Sequence, residues 1–201
     1  ERLTDGCALC GGDLDGVDYV VYVIPGLILM AWAINAFTNN ASSLLQQKFQ
    51  RSIDDQLSSP ATPIQLLLAF TLGGFLRGMT IAIITFLVAS VLVDLPVEHP
   101  LVLVISLFLV GFFFSQLGVL VGIRAEQFDD VSFAQTFILQ PLIFLGGIFY
   151  SASLLPEPYQ TLTHFNPVYY MISTVRYGFL GQQDVNITLS LIGLTIATGA
   201  L

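Results

Sequence analysis

LVLVISLFLVGFFFSQLGVLVGI, residues 101–123, runs for 23 positions without a charged side chain. A helix rises about 1.5 Å per residue, so about 20 apolar residues cross the roughly 30 Å hydrocarbon core of a bilayer. The stretch reads as a spanning helix. The chain around it agrees: of 201 residues, 55% are hydrophobic and only 10% charged, with a mean hydropathy of +0.81. A soluble fold cannot hide that much apolar surface.

Outward from this segment, further uncharged runs cover about 19–37, 66–93, 133–150 and 186 to the end. They predict four full spans and one partial one. Pro25 and Pro141 lie inside two of the runs, where kinks are expected and neighbouring helices re-satisfy the freed carbonyls. Gly74 and Gly78 form a G-x-x-x-G that lets helices approach closely. Glu1 in place of a methionine, and a last apolar run too short to cross, read as a fragment at both ends, with residues 1–18 an outer loop. Those eighteen residues have no apolar core of a signal peptide, so insertion rests on the spans.

Between the first two runs, Leu45, Phe49, Ile53 and Leu57 recur every fourth residue, with Gln46, Gln47, Lys48, Gln50, Arg51, Asp54 and Asp55 on the other side. This predicts an amphipathic helix outside the bilayer core, within a connecting region 40–63, stopped by Ser58-Ser59-Pro60. Thr62, Pro63 and Gln65 then form a capping-box start for the next helix. Lys48, Arg51, Arg77 and Arg124 assign one side to the cytoplasm, against Arg2 and Arg176 on the other. After Tyr150, prolines 156 and 158 break the pattern. Asn166-Pro167 opens, and Gly181 closes, a helix of about 14 residues, roughly 21 Å and too short to span. Residues 151–181 therefore read as a re-entrant or interfacial hairpin on the outer side, its tyrosines an aromatic belt.

Chemistry is excluded class by class. The net charge of −8 comes with no basic patch, so nucleic-acid binding is disfavoured. Cys7 and Cys10 lack a second cysteine pair or histidine partner and read as incidental thiols or one local disulfide. His99 and His164 lack metal-site spacing. Lys48 is the sole lysine and no phosphate-binding loop surrounds it, so the chain binds no nucleotide cofactor of its own. Every Asp and Glu falls in a loop, which leaves no intramembrane acid–base pair, and no selectivity filter or acidic ring marks a channel. Arg77 is the one charge inside a long apolar run. It either lines a pathway, contacts a lipid phosphate, or snorkels to the cytoplasmic headgroups, and its place near that end favours snorkelling.

Two segments carry a family likeness. KFQRSIDDQLSSPATPIQLLLAFTLGGFLRG, residues 48–78, resembles the elbow and glycine-rich helix of the type 2 ABC transporter permeases, in the branch of drug, polysaccharide and nodulation-factor exporters. LQPLIFLGGIFYSASLLPEPYQTLTHFNPVYYMISTVRYGFLG, residues 139–181, is similar to that family's Pro, Gly-Gly, Leu-Pro and Asn-Pro signature in order and spacing, and FDDVS (128–132) resembles its short cytoplasmic loop. Gln56-Leu57-Ser58 departs from the family's apolar triplet before Ser-Pro, and the family's first span has no counterpart here.

The resemblance implies an all-α membrane protein, a polytopic helical bundle of the ABC type 2 exporter permease kind, with a cytoplasmic amphipathic coupling helix and an outer re-entrant hairpin. It implies a multi-pass protein of the plasma (inner) membrane, paired with a second permease copy, identical or paralogous. A separate ATP-binding cassette ATPase would hold ATP and magnesium. Arg51, Asp54, Asp55, Gln56, Leu57 and Pro60 are the expected ATPase contact; Gly146, Gly147, Tyr150, Pro167, Tyr170 and Arg176 are the expected outer gate. The competing class is a non-transporting scaffold that docks a cytosolic protein through the same amphipathic helix.

Overall fold

The computed structural model describes residues 13–14, 17–52, 62–93, 95–149, 163, 166–181 and 185–200. A two-residue antiparallel ladder pairs β1 (Asp13–Leu14) with β2 (Val17–Asp18). The helices follow: α1 (Tyr19–Phe49), α2 (Pro63–Leu92), α3 (Pro100–Arg124), α4 (Phe128–Phe133), a π-helical segment (Ala134–Leu139), α5 (Gln140–Phe144), α6 (Pro167–Leu180) and α7 (Ile187–Ala200).

The core is built around α1, which packs on α2, α3 and α6. Hydrophobicity alone gives no preference for helix over lipid as a neighbour, so close packing of small residues holds such helices together. Trp32 shows how. Its indole fills a notch between α2 and α3, where a Cβ on Gly78 would sit 2.5 Å from Cδ1 and one on Gly111 2.6 Å from Nε1. Two turns on, Gly118 lets α3 meet the Phe37 main chain. Gly74 of the predicted G-x-x-x-G abuts Asn40. By contrast, the outward face of α2 is apolar and exposed from Ile64 to Leu92, the signature of lipid contact.

One expectation is corrected. Among the described residues three helices, not four, are long and apolar enough to cross a membrane. The predicted 133–150 span is a helical run that starts at Phe128, widens into the π segment and gives way after Phe144 to turns at Leu145–Gly147. The Gly146-Gly147 pair, invisible to a hydropathy window, lies in the turns that end it, with Gly147 at φ +83°.

Of the predicted amphipathic stripe only the start is described. Leu45 and Phe49 belong to α1, which runs unbroken for 31 residues. It stops where Arg51 N–H bonds the Lys48 carbonyl and Arg51 takes φ +56°, a left-handed conformation that turns the chain. Ile53, Leu57 and the remainder of the predicted stripe lie outside the described residues.

The level of Arg77 along the bundle follows from its neighbours. Gly78 and Gly111 both touch Trp32 and so share a level. Gly111 lies 13 residues from Arg124 and 11 from Pro100, near the middle of α3. The Arg77 backbone therefore stands level with the middle of α3.

Candidate functional site

The bundle has two functional ends, a basic end bearing Lys48, Arg51 and Arg124 and a hairpin end bearing Tyr19, Pro100 and Gly181. At the basic end, the Lys48 ammonium donates to the carbonyls of Ile123 and, at 3.1 Å, Ala125. A cation there meets the negative end of the α3 dipole and satisfies carbonyls the helix leaves open. Phe49 stacks on Phe128 with centroids 5.5 Å apart, and Ala41, Leu45, Ala125 and Val131 close a small apolar cluster beneath. In the FDDVS loop, Asp130 accepts from the amides of Glu126 (2.9 Å) and Gln127 (3.0 Å). Those two bonds favour the carboxylate and lower its pKa against a small opposing effect of desolvation. The ends of α1, α3 and α4 are thus one cross-braced corner. Of the predicted ATPase contact, only Arg51 is described, exposed on the turn that leaves this corner; Asp54, Asp55, Gln56, Leu57 and Pro60 lie outside the described residues.

At the hairpin end, α6 forms as its sequence predicts. Asn166 caps it, accepting from the Val168 amide at 3.0 Å, and Gly181 ends it at φ +69°. The same Asn166 donates from Nδ2 to the Leu142 carbonyl at 2.6 Å, tying the start of α6 to α5. At the other end, the amides of His99 and Glu98 donate to the Gly178 and Phe179 carbonyls at 3.1 and 3.3 Å. The His99 ring stacks on Tyr177. All but three of its fourteen residues are buried. The helix is therefore inserted in the bundle rather than lying on its surface.

Arg176 is the polar centre of this end. It is 2% exposed, its Nη2 donates to the Gly147 carbonyl at 2.9 Å, and its guanidinium carbon stands 3.8 Å from the Tyr22 ring centroid. A cation over a desolvated aromatic face is worth about 2 kcal/mol or more. Gly147 presents that carbonyl from φ +83°, and a side chain on Gly146 would strike Ile172. The predicted gate residues accordingly fall into two groups. Gly146, Gly147 and Arg176 join α5, α6 and α1; Pro167 and Tyr170 instead line an apolar cleft of about 320 Å³ between α6 and α7. Tyr150 lies outside the described residues.

Between the ends, nearer the basic one, is a polar level that sequence reasoning missed. Asn40 donates to Ser115 Oγ (2.6 Å) and its carbonyl (2.9 Å), and Ser115 donates to the Thr71 carbonyl (2.6 Å). Thr38 donates to Gln135 on the π segment at 3.0 Å, and Arg77 Nη1 donates to Asn39 Oδ1 at 2.8 Å. The signal was the Thr38-Asn39-Asn40 triplet, three consecutive polar residues beyond an apolar run. Among the described residues, no group of three His, Cys, Asp or Glu is placed to hold a metal.

A helical bundle with a buried arginine at its hairpin end and a braced basic corner is the geometry, and comparison with known proteins gives it a family. The family model for the ABC-2 type transporter matches residues 9–180. The chain belongs to this family. It is 41% identical over 174 residues to the inner membrane transport permease YadH of Escherichia coli (strain K12), covering 87% of this chain and 68% of that one. It is 26% identical over 195 residues to nodulation protein J of Sinorhizobium fredii (strain NBRC 101917 / NGR234), covering 92% and 71%. The ABC-2 chain is thus a membrane-embedded, all-α transporter permease subunit, not itself a catalytic enzyme.

Proposed function

We propose that this permease exports its cargo across the plasma (inner) membrane on energy from a separate ATP-binding cassette subunit, which holds the ATP and magnesium, and that it works paired with a second permease copy. The basic end faces the cytoplasm in this reading, as its lysine and arginines favour. The ATPase docks on Arg51 and on Asp54, Asp55, Gln56, Leu57 and Pro60.

One observation carries the coupling reading: Lys48 and the Phe49–Phe128 stack brace the end of α1 to α3 and α4, immediately before that segment. A push on the elbow is then delivered to three helices together instead of bending one free end. At the far end, Arg176, Gly146, Gly147 and Tyr150 form the outer gate, with Pro167 and Tyr170 on its α7 side. A change in α1 reaches this gate through Tyr22, which Arg176 covers.

The cargo class suits apolar walls with few fixed charges: a drug, a lipid-linked molecule or a polysaccharide-like one. The test is ATP hydrolysis by the reconstituted complex across a panel of lipids, glycans and drugs. At least one class should stimulate it; a complex that binds ATPase yet responds to none fits the scaffold reading instead.

A further inference from the structure

α4, the π segment and α5 form one helical arm, residues 128–144, that joins the two ends of the bundle. Its first part belongs to the braced corner: Phe128 stacks on Phe49, and Val131 is buried with Ala41, Leu45 and Ala125. Its last part belongs to the hairpin end. Leu139 and Ile143 are buried in the main core, Asn166 Nδ2 holds the Leu142 carbonyl, and Arg176 holds the Gly147 carbonyl just beyond.

The π segment is what makes these two dockings compatible. In an unbroken α-helix, the twelve residues from Val131 to Ile143, at about 100° each, would leave Ile143 about 120° around from Val131. Both could not then face the bundle. The Gln140 amide instead bonds the Gln135 carbonyl, five residues back rather than four, so this turn takes up one residue more than an α turn. With that residue absorbed, Ile143 comes to about 20° on one side of Val131 and Leu139 to about 20° on the other.

An α-helix over the same residues can therefore dock one end of the arm but not both. With α4 kept in the corner, a return to α geometry advances α5 by one residue, a rotation of about 100° and a shift of about 1.5 Å. The Leu142 and Gly147 carbonyls then leave Asn166 and Arg176. Single π turns inside α-helices are rare and occur frequently at functional sites. Here the turn also touches α1, where Thr38 donates to Gln135 at 3.0 Å.

We infer that the π segment is the release element of the arm: its conversion to α geometry undocks α5 and frees the Gly147 carbonyl from Arg176 while α4 stays in the corner. This rests on the reading of Arg176 and Gly147 as the outer gate, and it names the movement that lets the gate go.

The test uses neither ATPase nor cargo, so it fails separately from the export reading. Spin-label distances from Phe144 to Leu92 on α2 and to Leu101 on α3, all exposed positions, are measured on the full-length permease in phosphatidylcholine nanodiscs, with Cys7 and Cys10 replaced by serine. On a helix about 10 Å across, a rotation of about 100° displaces the Phe144 label by about 8 Å. Asn166→Ser with Arg176→Leu cuts both ties on α5 yet keeps a capping hydroxyl on α6. It should add a distance population displaced by up to that amount, and Asn166→Ser alone a smaller one. Deleting Phe137, an exposed residue of the π segment, removes the extra residue and leaves both docking faces aligned. The deletion should remain folded by thermal melting and abolish the displaced population, as should deletion of the equally exposed Ile138. Unchanged distances in the tie-cutting variants overturn the inference, with Asn166→Ser deciding if the double variant does not fold. A displacement that survives the deletions overturns it too, and so does failure of both deletions to fold, since the extra residue would then be part of the fold itself.

Discussion

Asn40 on α1 and Ser115 on α3 are joined side chain to side chain at 2.6 Å, and the Ser115 hydroxyl continues the link to the Thr71 carbonyl on α2. All three spanning helices meet at this bond. Interhelical hydrogen bonds in membranes contribute about 0.6 kcal/mol on average and about 1.7 at most. Asn40→Ala should therefore cost about 1 kcal/mol in a detergent unfolding titration, and Ser115→Ala about as much. Their double variant should cost less than the sum, because one network is removed twice.

Gly118 predicts a larger effect from a smaller change. A methyl there meets the Phe37 main chain, which cannot rotate away, so Gly118→Ala should cost about 1–3 kcal/mol in the same titration. Gly111→Ala strikes the Trp32 side chain instead. Trp32→Leu should rescue Gly111→Ala and leave Gly118→Ala unrescued.

Arg176→Leu removes a buried cation from the Tyr22 face and from the Gly147 carbonyl. The expected loss is about 2 kcal/mol or more, with Arg176→Lys intermediate, since a point charge keeps the attraction but not the planar fork. Thermal unfolding in micelles reads both.

Asp130 gives a pH dependence with a definite sign. Its pKa is lowered in the folded protein by the Glu126 and Gln127 amide bonds. The contribution is therefore fully present above the ordinary carboxylate range and is lost as pH falls through the lowered value. Protection factors for the Gln127 amide should drop over that acid window in the wild type and show no such step in Asp130→Asn.

The sequence was read correctly where the signal is local. Thr62 and Gln65 form the predicted capping box, with Gln65 Oε1 accepting from the Thr62 amide at 3.0 Å. Asn166 and Gly181 bound the short helix as predicted. What escaped depended on partners distant in sequence. Hydropathy could not tell that Leu142 and Gly147 would be bonded by Asn166 and Arg176, so the fourth apolar run read as a span rather than as a broken arm. Likewise, Leu45 looked like the start of an amphipathic helix because its burial under Ala125 and Val131 is a tertiary fact. The level of Arg77 was out of reach for the same reason: only the shared contact of Gly78 and Gly111 with Trp32 sets it. The contact of Arg176 with Gly147 and Tyr22, and the place of Pro167 and Tyr170 on the α7 cleft, are likewise tertiary and had no local signal.

Recovery of the ATPase tests the central claim most directly. Affinity-purified from its own membranes, the wild-type permease should bring down a nucleotide-hydrolysing cassette subunit at about one copy per permease. Leu57→Asp in the elbow should insert normally and lose it. An undiminished recovery with Leu57→Asp contradicts the elbow contact, and a wild-type permease that recovers no ATPase at all contradicts the account of an ATP-driven exporter.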